Sequence, residues 1–532
     1  MPSAWHIIVQ KVITVKTLSY DKMNKRHVLD DLKKTAARLP EKTAFSDGTH
    51  GLTFAELDAW CDRVGSFLSS EGIVRQPVVV FMQKSPEEVA AFFGVIRGGC
   101  YYVPVDEEMP EGRIRLILRQ VQSPLVICDE ETKERAREIV AAESLSSRVV
   151  CFSEFQTQEI FSETLEDIRA AALDTDPVYI VFTSGSTGIP KGVVACHRSV
   201  IDYVEQLSEV LGFDENTVFG NQSPLYFDAC LKELYPTIIY GATTYLIPRT
   251  AFAMPTVLVE YLNTHRINTI CWVVSALTMI SAFNTFDVVK PKYLHTIAFG
   301  SEVFPVRQFN LWKEALPDAT FTNLYGPTET SGRCCYYRAD RLCAEDEVIP
   351  IGRPFLNREI ILLKEDNTRA LPGEEGEICI RGNAVTFGYY GDAERTAAAF
   401  VQNPLHDLYP ETIYRTGDIG RFDADGNLCF VSRKDYQIKH MGHRVELGEI
   451  EVNVDLLETV KMSACVYDAE KKKIVLTYVG DVTEKELLLT LKGKLPRYML
   501  PNVLRRTEAL PLTPNGKIDR KTLLAAYREG KS

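Results

Sequence analysis

Val178–Cys196 reads VYIVFTSGSTGIPKGVVAC, and the rest of the chain is best read outward from it. Two apolar, β-branched runs flank a loop, Thr183 to Lys191, made of small hydroxyl residues, glycines and one lysine. Gly185, Gly188 and Gly192 let the backbone take conformations closed to other residues and approach a ligand closely. Thr183, Ser184, Ser186 and Thr187 supply hydroxyl and amide donors, and Lys191 adds a mobile point charge. The composition suits a polyphosphate. It is not a P-loop: G-x-x-x-x-G-K-[ST] is absent, Pro190 precedes the lysine and Gly192 stands in the Ser/Thr place. Apolar runs on both sides predict a loop between two strands, whereas a P-loop passes from strand into helix. The plainer alternative is a glycine-serine surface turn.

Upstream, from about Met23 to Val181, amphipathic stretches such as SPEEVAAFFGVIRGG alternate with β-rich runs such as QPVVVFM and SPLVICD. That alternation predicts parallel strands joined by crossover helices. A second series with the same texture runs from Ser199 to about Leu324. After Ile349 turns and short strands take over, with Asp425-Gly426 marking a hairpin. Beyond Lys434 a compact tail alternates helix and strand. The expected fold is α/β: a large N-terminal body of layered α/β subdomains with a small β-rich subdomain, and a small mobile α+β domain at the C-terminus. Residues 1–22 form an extension to which no role is assigned, 23–434 the large domain and 435–532 the small one.

Composition narrows the function classes. With 72 acids against 60 bases the net charge is −12, which repels phosphate backbones and argues against a nucleic-acid partner. A 45% hydrophobic content excludes disorder. The thirteen cysteines include no C-x-x-C pair and read as reduced, mostly buried thiols of a cytoplasmic protein. His197, His440 and His443 match no zinc spacing. Lys11 and Lys16 interrupt the apolar run near the amino end, and no stretch reaches the ~18 apolar residues of a membrane span. A monomer is the default expectation.

Four more motifs follow in order: NLYGPTET at 323–330, YRTGDIGRFDADGN at 414–427, RKDYQIKHMGHRVELGEIE at 433–451 and LPLTPNGKIDR at 510–520. Together with the loop they resemble the signatures of the adenylate-forming (AMP-binding) superfamily, from about Leu52 to Leu523. Within it the sequence looks most like amino-acid adenylation domains of nonribosomal peptide synthetases and stand-alone D-alanine carrier-protein ligases. The resemblance implies that ATP and Mg²⁺ activate an amino acid as its adenylate, and that the acyl group then passes to the phosphopantetheine thiol of a carrier protein. A carboxylate nucleophile is already ionised, so such chemistry needs alignment and charge stabilisation rather than a general base.

By the same resemblance Thr183–Gly188 and Lys191 hold phosphates, Lys517 bridges carboxylate and nucleotide, and Asp418 binds the ribose. Glu329 takes the metal, Tyr325 lies against adenine, Thr328 sits near the α-phosphate and Arg433 contacts the nucleotide. The glycine that usually precedes that arginine is Ser432 here. Asp435 would be the hinge about which the tail swings, presenting first Lys517 and then the face around Lys439 and Gly442 that admits the pantetheine arm. Each role has a plainer rival: a solvated Lys517, a turn-capping Asp418, a core-packed Tyr325, a salt-bridged Asp435.

FDAC at 227–230 places Asp228 where amino-acid-activating relatives hold the α-ammonium, with an N-cap for the helix near Leu231 as the alternative. The family's side-chain pocket projects onto Ala229, Lys232, Ser275, Ile297, Phe299, Leu324, Gly332 and Arg333. A buried Lys232 needs a partner: an acidic substrate side chain, a protein acid such as Glu233, or solvent. It argues against simple D-alanine activation, and Phe299 would narrow the cavity. The chain ends fifteen residues after Lys517 without a G-G-x-S site, so the carrier is expected in trans. Two rival readings are an acyl-CoA synthetase using free coenzyme A and a catalytically idle nucleotide-binding module. Asp228 speaks against the first, and Lys517, Asp418 and Glu329 against the second.

Overall fold

The computed structural model describes residues 27–185, 188–345, 347–434, 437–511 and 518–530, so Ser186, Thr187, Asp435 and Lys517 lie outside the described residues. The first sheet has six strands, in the order Arg148–Cys151, Leu125–Cys128, Pro77–Met82, Tyr101–Asp106, Pro177–Thr183 and Lys191–Cys196. All neighbours are parallel except the last two, which pair antiparallel with Thr183 opposite Lys191. The glycine-rich loop therefore joins two strands, as its apolar flanks predicted. Pro77–Met82 is buried along its whole length, which is why it reads as a continuous apolar run. Its crossover helix Pro86–Arg97 starts sharply: the Ser85 hydroxyl accepts from the Glu88 amide, and Pro86 fills the first turn.

The second sheet has nine strands, and its order differs from a simple reading of the chain. It runs Arg353–Pro354, Cys335–Arg338, Thr320–Tyr325, Thr296–Gly300, Thr269–Val273, Val218–Asn221, Thr243–Leu246, Thr43–Ser46 and Gly51–Thr53. Periodicity assigned everything from Met23 to Val181 to one unit. Thr43–Ser46 instead pairs in parallel with Thr243–Leu246, Phe45 opposite Thr244. Alternation reports strand type locally, while the partner is chosen by packing about 200 residues away. One core cluster accordingly mixes both sheets, with Phe45, Phe92, Tyr102, Tyr179, Tyr203 and Tyr235 in contact around helices from each.

A β-rich region follows: Arg358–Leu363, Gly376–Gly382, Thr412–Phe422 and Phe400–Gln402, with Leu428–Arg433 on the long strand. Its hairpin turns at Asp425-Gly426, where Gly426 has φ +76°. The tail has its own ribbon (Gln437–His440 with His443–Glu446), its own sheet (Val460–Asp468, Lys473–Gly480, Val503–Arg506) and its own core around Ile450, Leu476 and Leu487. No described strand after Gln437 joins a sheet of the body. All thirteen cysteines are free and most are buried. No helix of the described residues is long and apolar enough to cross a membrane.

Candidate active site

The ends of both body sheets, the β-rich region and the tail's ribbon meet in one cleft. Strand Pro177–Thr183 delivers Thr183, whose buried hydroxyl has no hydrogen-bond partner. Strand Thr320–Tyr325 delivers Tyr325 and then turns at Gly326, where a Cβ would lie 2.6 Å from the Arg333 Cα; only glycine allows that approach. The Tyr325 hydroxyl donates to Asp418, and the Arg433 guanidinium pairs with the same carboxylate. Three residues from two separate stretches of sequence thus form one cluster around the buried Tyr325 and Asp418, which is more than core packing requires of Tyr325. Lys439 from the ribbon stands over the Tyr325 ring, 5.2 Å from its centre. Burial lowers the pKa of Lys439, with Asp418 the main opposing charge.

Glu329 is completely buried beneath the loop. Arg444 of the ribbon donates to both of its carboxylate oxygens, at 2.7 and 2.9 Å, and the Tyr389 hydroxyl donates at 2.8 Å. Burial pushes this carboxyl up, but Arg444, Lys191 and Tyr389 outweigh it and hold the pKa down at about 2. Lys191 lies 3.5 Å from Glu446 and over the Tyr389 ring, its pKa lowered by burial and by Arg444. Gly188, with φ +79°, closes the described end of the loop.

Asp228 opens a short 3₁₀ turn, Asp228–Cys230, that leads into helix Leu231–Tyr240. No side-chain cap bond forms at the start of either element, so the N-cap alternative does not account for this residue. Its Oδ2 is buried and has no hydrogen-bond partner, and Asp228, Ala229, Thr328 and Arg333 line the same cleft. Burial raises the Asp228 pKa, opposed by Arg333, then Lys232 and a hydrogen bond from the Thr328 side chain. Arg333 is anchored by the Gly326 carbonyl and the Ser301 hydroxyl, both at 2.8 Å.

Lys232 is buried, which rules out the solvent alternative, and Glu233 is the principal opposite charge acting on it. Glu233 also accepts from the Asn221 amide at 3.4 Å and faces Lys84. Burial pushes Glu233 up to about 7 and Lys84 down to about 8. Because the folded pKa of Glu233 lies above its unfolded value, its contribution to stability is largest below about pH 4.5 and declines as the pH rises towards 7. Glu233→Gln is therefore expected to flatten the fall in unfolding free energy between pH 5 and 8, by at most about 3 kcal/mol. An unchanged slope in scanning calorimetry would remove the buried charge from that role.

The projected pocket needs correction. Ile297 and Phe299 do not face Asp228: they pack on the opposite side of the sheet with Trp272, Phe304 and Phe309. Side chains alternate along a strand, and Thr296–Gly300 gives Ala298 to the Asp228 side, beside Cys271 and Leu324. Phe299 therefore does not narrow the cleft. Ser275 starts helix Val274–Ala282 with its amide donating to Glu302, and Gly332 lies against Tyr203, where a Cβ would sit 2.8 Å from the ring. Neither lines the cleft. Leu324 lines a second, mostly apolar cavity of about 440 Å³ whose wall includes Tyr325, Ile349, Ile351 and Phe430. Among the described residues no group of His, Cys, Asp and Glu is arranged for a metal, and His443 is stacked on Tyr498, its pKa lowered to about 4 by burial.

The residues fit a nucleotide in part. The apolar cavity beside Tyr325 suits a base, and Asp418 and the partnerless Thr183 hydroxyl offer polar contacts in the cleft that Tyr325 also lines. They do not fit a metal as arranged, since Arg444 holds both oxygens of Glu329. The sequence reading missed Arg444, Glu446 and Glu449, which bring the tail onto the loop: the Gly185 amide donates to Glu449 at 3.0 Å, and Arg113 pairs with Glu449 at 2.8 Å. The dense charges of RVELGE were the available signal.

Comparison with known proteins agrees with this geometry. The profile of the AMP-binding enzyme family matches residues 32–390. The D-alanine–D-alanyl carrier protein ligase of Bacillus cereus (strain B4264) is 31% identical over 514 residues, covering 94% of this chain and 99% of that protein. Tyrocidine synthase 1 of Brevibacillus parabrevis is 29% identical and tyrocidine synthase 2 of the same organism 31%, each over 92% of this chain. The chain spans only 44% and 13% of those two synthases. Among solved structures, the Vibrio cholerae adenylation domain AlmE, in complex with glycyl-adenosine-5'-phosphate, superposes with a TM-score of 0.83 at 21% identity, over 95% of this chain and 98% of that one. PA1221, a protein with adenylation and PCP domains, gives 0.78 at 25% identity, over 94% and 84%. Motifs, fold, cleft and relatives agree that the chain belongs to the AMP-binding enzyme family and is an adenylate-forming enzyme.

Proposed function

We propose that this enzyme activates an amino acid with ATP and passes the aminoacyl group to the phosphopantetheine thiol of a carrier protein. The observation that carries the reading is a buried Asp228 carboxylate oxygen with no partner, facing the same cleft as the loop and the Tyr325–Asp418–Arg433 cluster. Asp228 neutralises the α-ammonium, a cost that a substrate without an amino group never meets. Tyr325, Asp418 and Arg433 orient the nucleoside, and Lys191 with the loop's amides and hydroxyls holds the phosphates. Lys517, outside the described residues, would bring charge to the reacting carboxylate. ATP supplies the electrophilic phosphorus when bound.

The tail's orientation supports a second step. Lys439, Met441, Gly442 and His443 line the cleft, whereas Leu510 and Ile518, which flank the Lys517 segment, pack on Ala464, Val466 and Val475 in the tail. This is the face expected to admit a pantetheine arm. The reading also takes residues 23–434 and 435–532 as domains moving about Asp435. Asp435→Pro is expected to slow thioester formation at least about tenfold more than adenylate formation, compared by carrier loading and pyrophosphate exchange. Equal losses would count against a hinge there.

The primary test is amino-acid-dependent exchange of labelled pyrophosphate into ATP across the common L- and D-amino acids, followed by loading of a separate holo-carrier protein. Exchange driven by fatty or aromatic acids but by no amino acid overturns the reading. A preference for alanine that survives Lys232→Ala would show that the lysine plays no part in selection.

A further inference from the structure

Two buried cations on the Asp228 side of the cleft have no acid at hydrogen-bonding distance. Lys232 is only 4% exposed, and among the described residues its ammonium makes no hydrogen bond and no ion pair. Arg333 is held by neutral acceptors, the Gly326 and Gly332 carbonyls and the Ser301 hydroxyl. Glu233 is engaged elsewhere. It stands one residue on from Lys232, about 100° further round the helix, where it accepts from the Asn221 amide and is the main opposite charge acting on Lys84. It therefore acts on Lys232 only through space.

Lys232 follows Asp228 by four residues, through the 3₁₀ turn Asp228–Cys230 and into helix Leu231–Tyr240, so the two side chains share one face. Asp228 Oδ2 is buried without a partner, and so are the hydroxyls of Tyr179 and Tyr203. Asp228 is among the charges acting on both tyrosines, and Arg333 is the first of those acting on Tyr203. The residues nearest this face, Ala229 in the cleft and Ala298 on strand Thr296–Gly300, are small. Once an α-ammonium has paired with Asp228, this side of the cleft holds two cations and two hydroxyl donors that lack an anionic acceptor.

We propose that the amino acid activated here carries a second carboxylate, in its side chain, which Lys232 and Arg333 receive together with the Tyr203 hydroxyl. A neutral side chain would leave both cations uncompensated, and a basic one would add a third. The inference rests on the adenylation reading and names the class of amino acid that the site accepts.

The test is pyrophosphate exchange by the full chain with aspartate, glutamate and 2-aminoadipate, set against asparagine, glutamine and the other common amino acids, as L- and D-isomers. Asparagine and glutamine match the shapes of the first two acids, so the ratio of kcat/KM between acid and amide reads charge alone. One of the acids is expected to be the best substrate of the panel, and aspartate or glutamate to exceed its own amide about a hundredfold or more. Lys232→Met is expected to lower kcat/KM for the acid about a hundredfold and to leave the amide within about threefold, whereas a lysine with a merely structural role would lower both alike. Lys232→Gln is the second variant, and where neither folds the wild-type ratio decides. A wild type that uses any amino acid without a second carboxylate as well as the best acid overturns the proposal and leaves the adenylation reading standing. A folded variant that loses acid and amide equally does the same. Exchange with no amino acid at all overturns the adenylation reading, and this inference with it.

Discussion

Asp228→Ala is expected to lower amino-acid-dependent pyrophosphate exchange by roughly 10²–10³-fold. The carboxylate is buried, its Oδ2 is unpartnered, and the cations acting on it are Arg333 and Lys232 on the protein side. An arriving α-ammonium would be desolvated in the same place. Asp418, the other carboxylate of the cleft, is already taken by Tyr325 and Arg433. Removing Asp228 therefore leaves the ammonium uncompensated, which costs about 3–5 kcal/mol, with each 1.4 kcal/mol worth a factor of ten. The loss should fall on kcat/KM for the amino acid and leave the KM for ATP within about threefold, since Tyr325, Asp418 and Arg433 are untouched. Near-normal exchange in the variant would refute the ammonium-binding role. Asp228→Asn separates charge from shape and should lose nearly as much.

The second large effect is expected at Lys517. Lys517→Ala should reduce adenylate formation by roughly 10²–10³-fold, the usual cost of removing one charged donor aimed at a transition state. Thioester transfer from adenylate that has already been made should survive, because among the described residues the tail already presents Lys439, Gly442 and Arg444 to the cleft. Single-turnover transfer from pre-formed adenylate measures the second step alone. Equal loss in both steps would make one lysine serve both, contrary to the two-faced reading of the tail. Thermal melting should match the wild type.

Much of the cleft could be read before any coordinates. Tyr325, Asp418 and Arg433 are picked out by the resemblance of their motifs to a known family, and the structure brings them into contact; the strand-loop-strand arrangement around Thr183–Lys191 follows from apolar flanks alone. Ile297 and Phe299 were misread for a physical reason. Strand Thr296–Gly300 is buried on both faces, so no polar alternation marks which side each residue takes, and a one-residue error in facing leaves the sequence pattern unchanged. Arg444, Glu446 and Glu449 escaped notice because charges at such spacing usually belong to a solvated surface. Their partners Glu329, Lys191 and Gly185 lie 115, 255 and 264 residues away.

The pairing of Thr43–Ser46 with Thr243–Leu246 has a consequence for how the protein is made. A ribosome adding roughly 5–20 residues per second needs about 10–40 s to reach the second strand after finishing the first. Through that interval an apolar edge waits on the nascent chain, and it is the edge that the mature nine-stranded sheet needs. Synthesis slowed before residue 243 would lengthen the exposure, and holdase chaperones that bind extended apolar segments should be found on ribosome-bound chains of between about 50 and 240 residues.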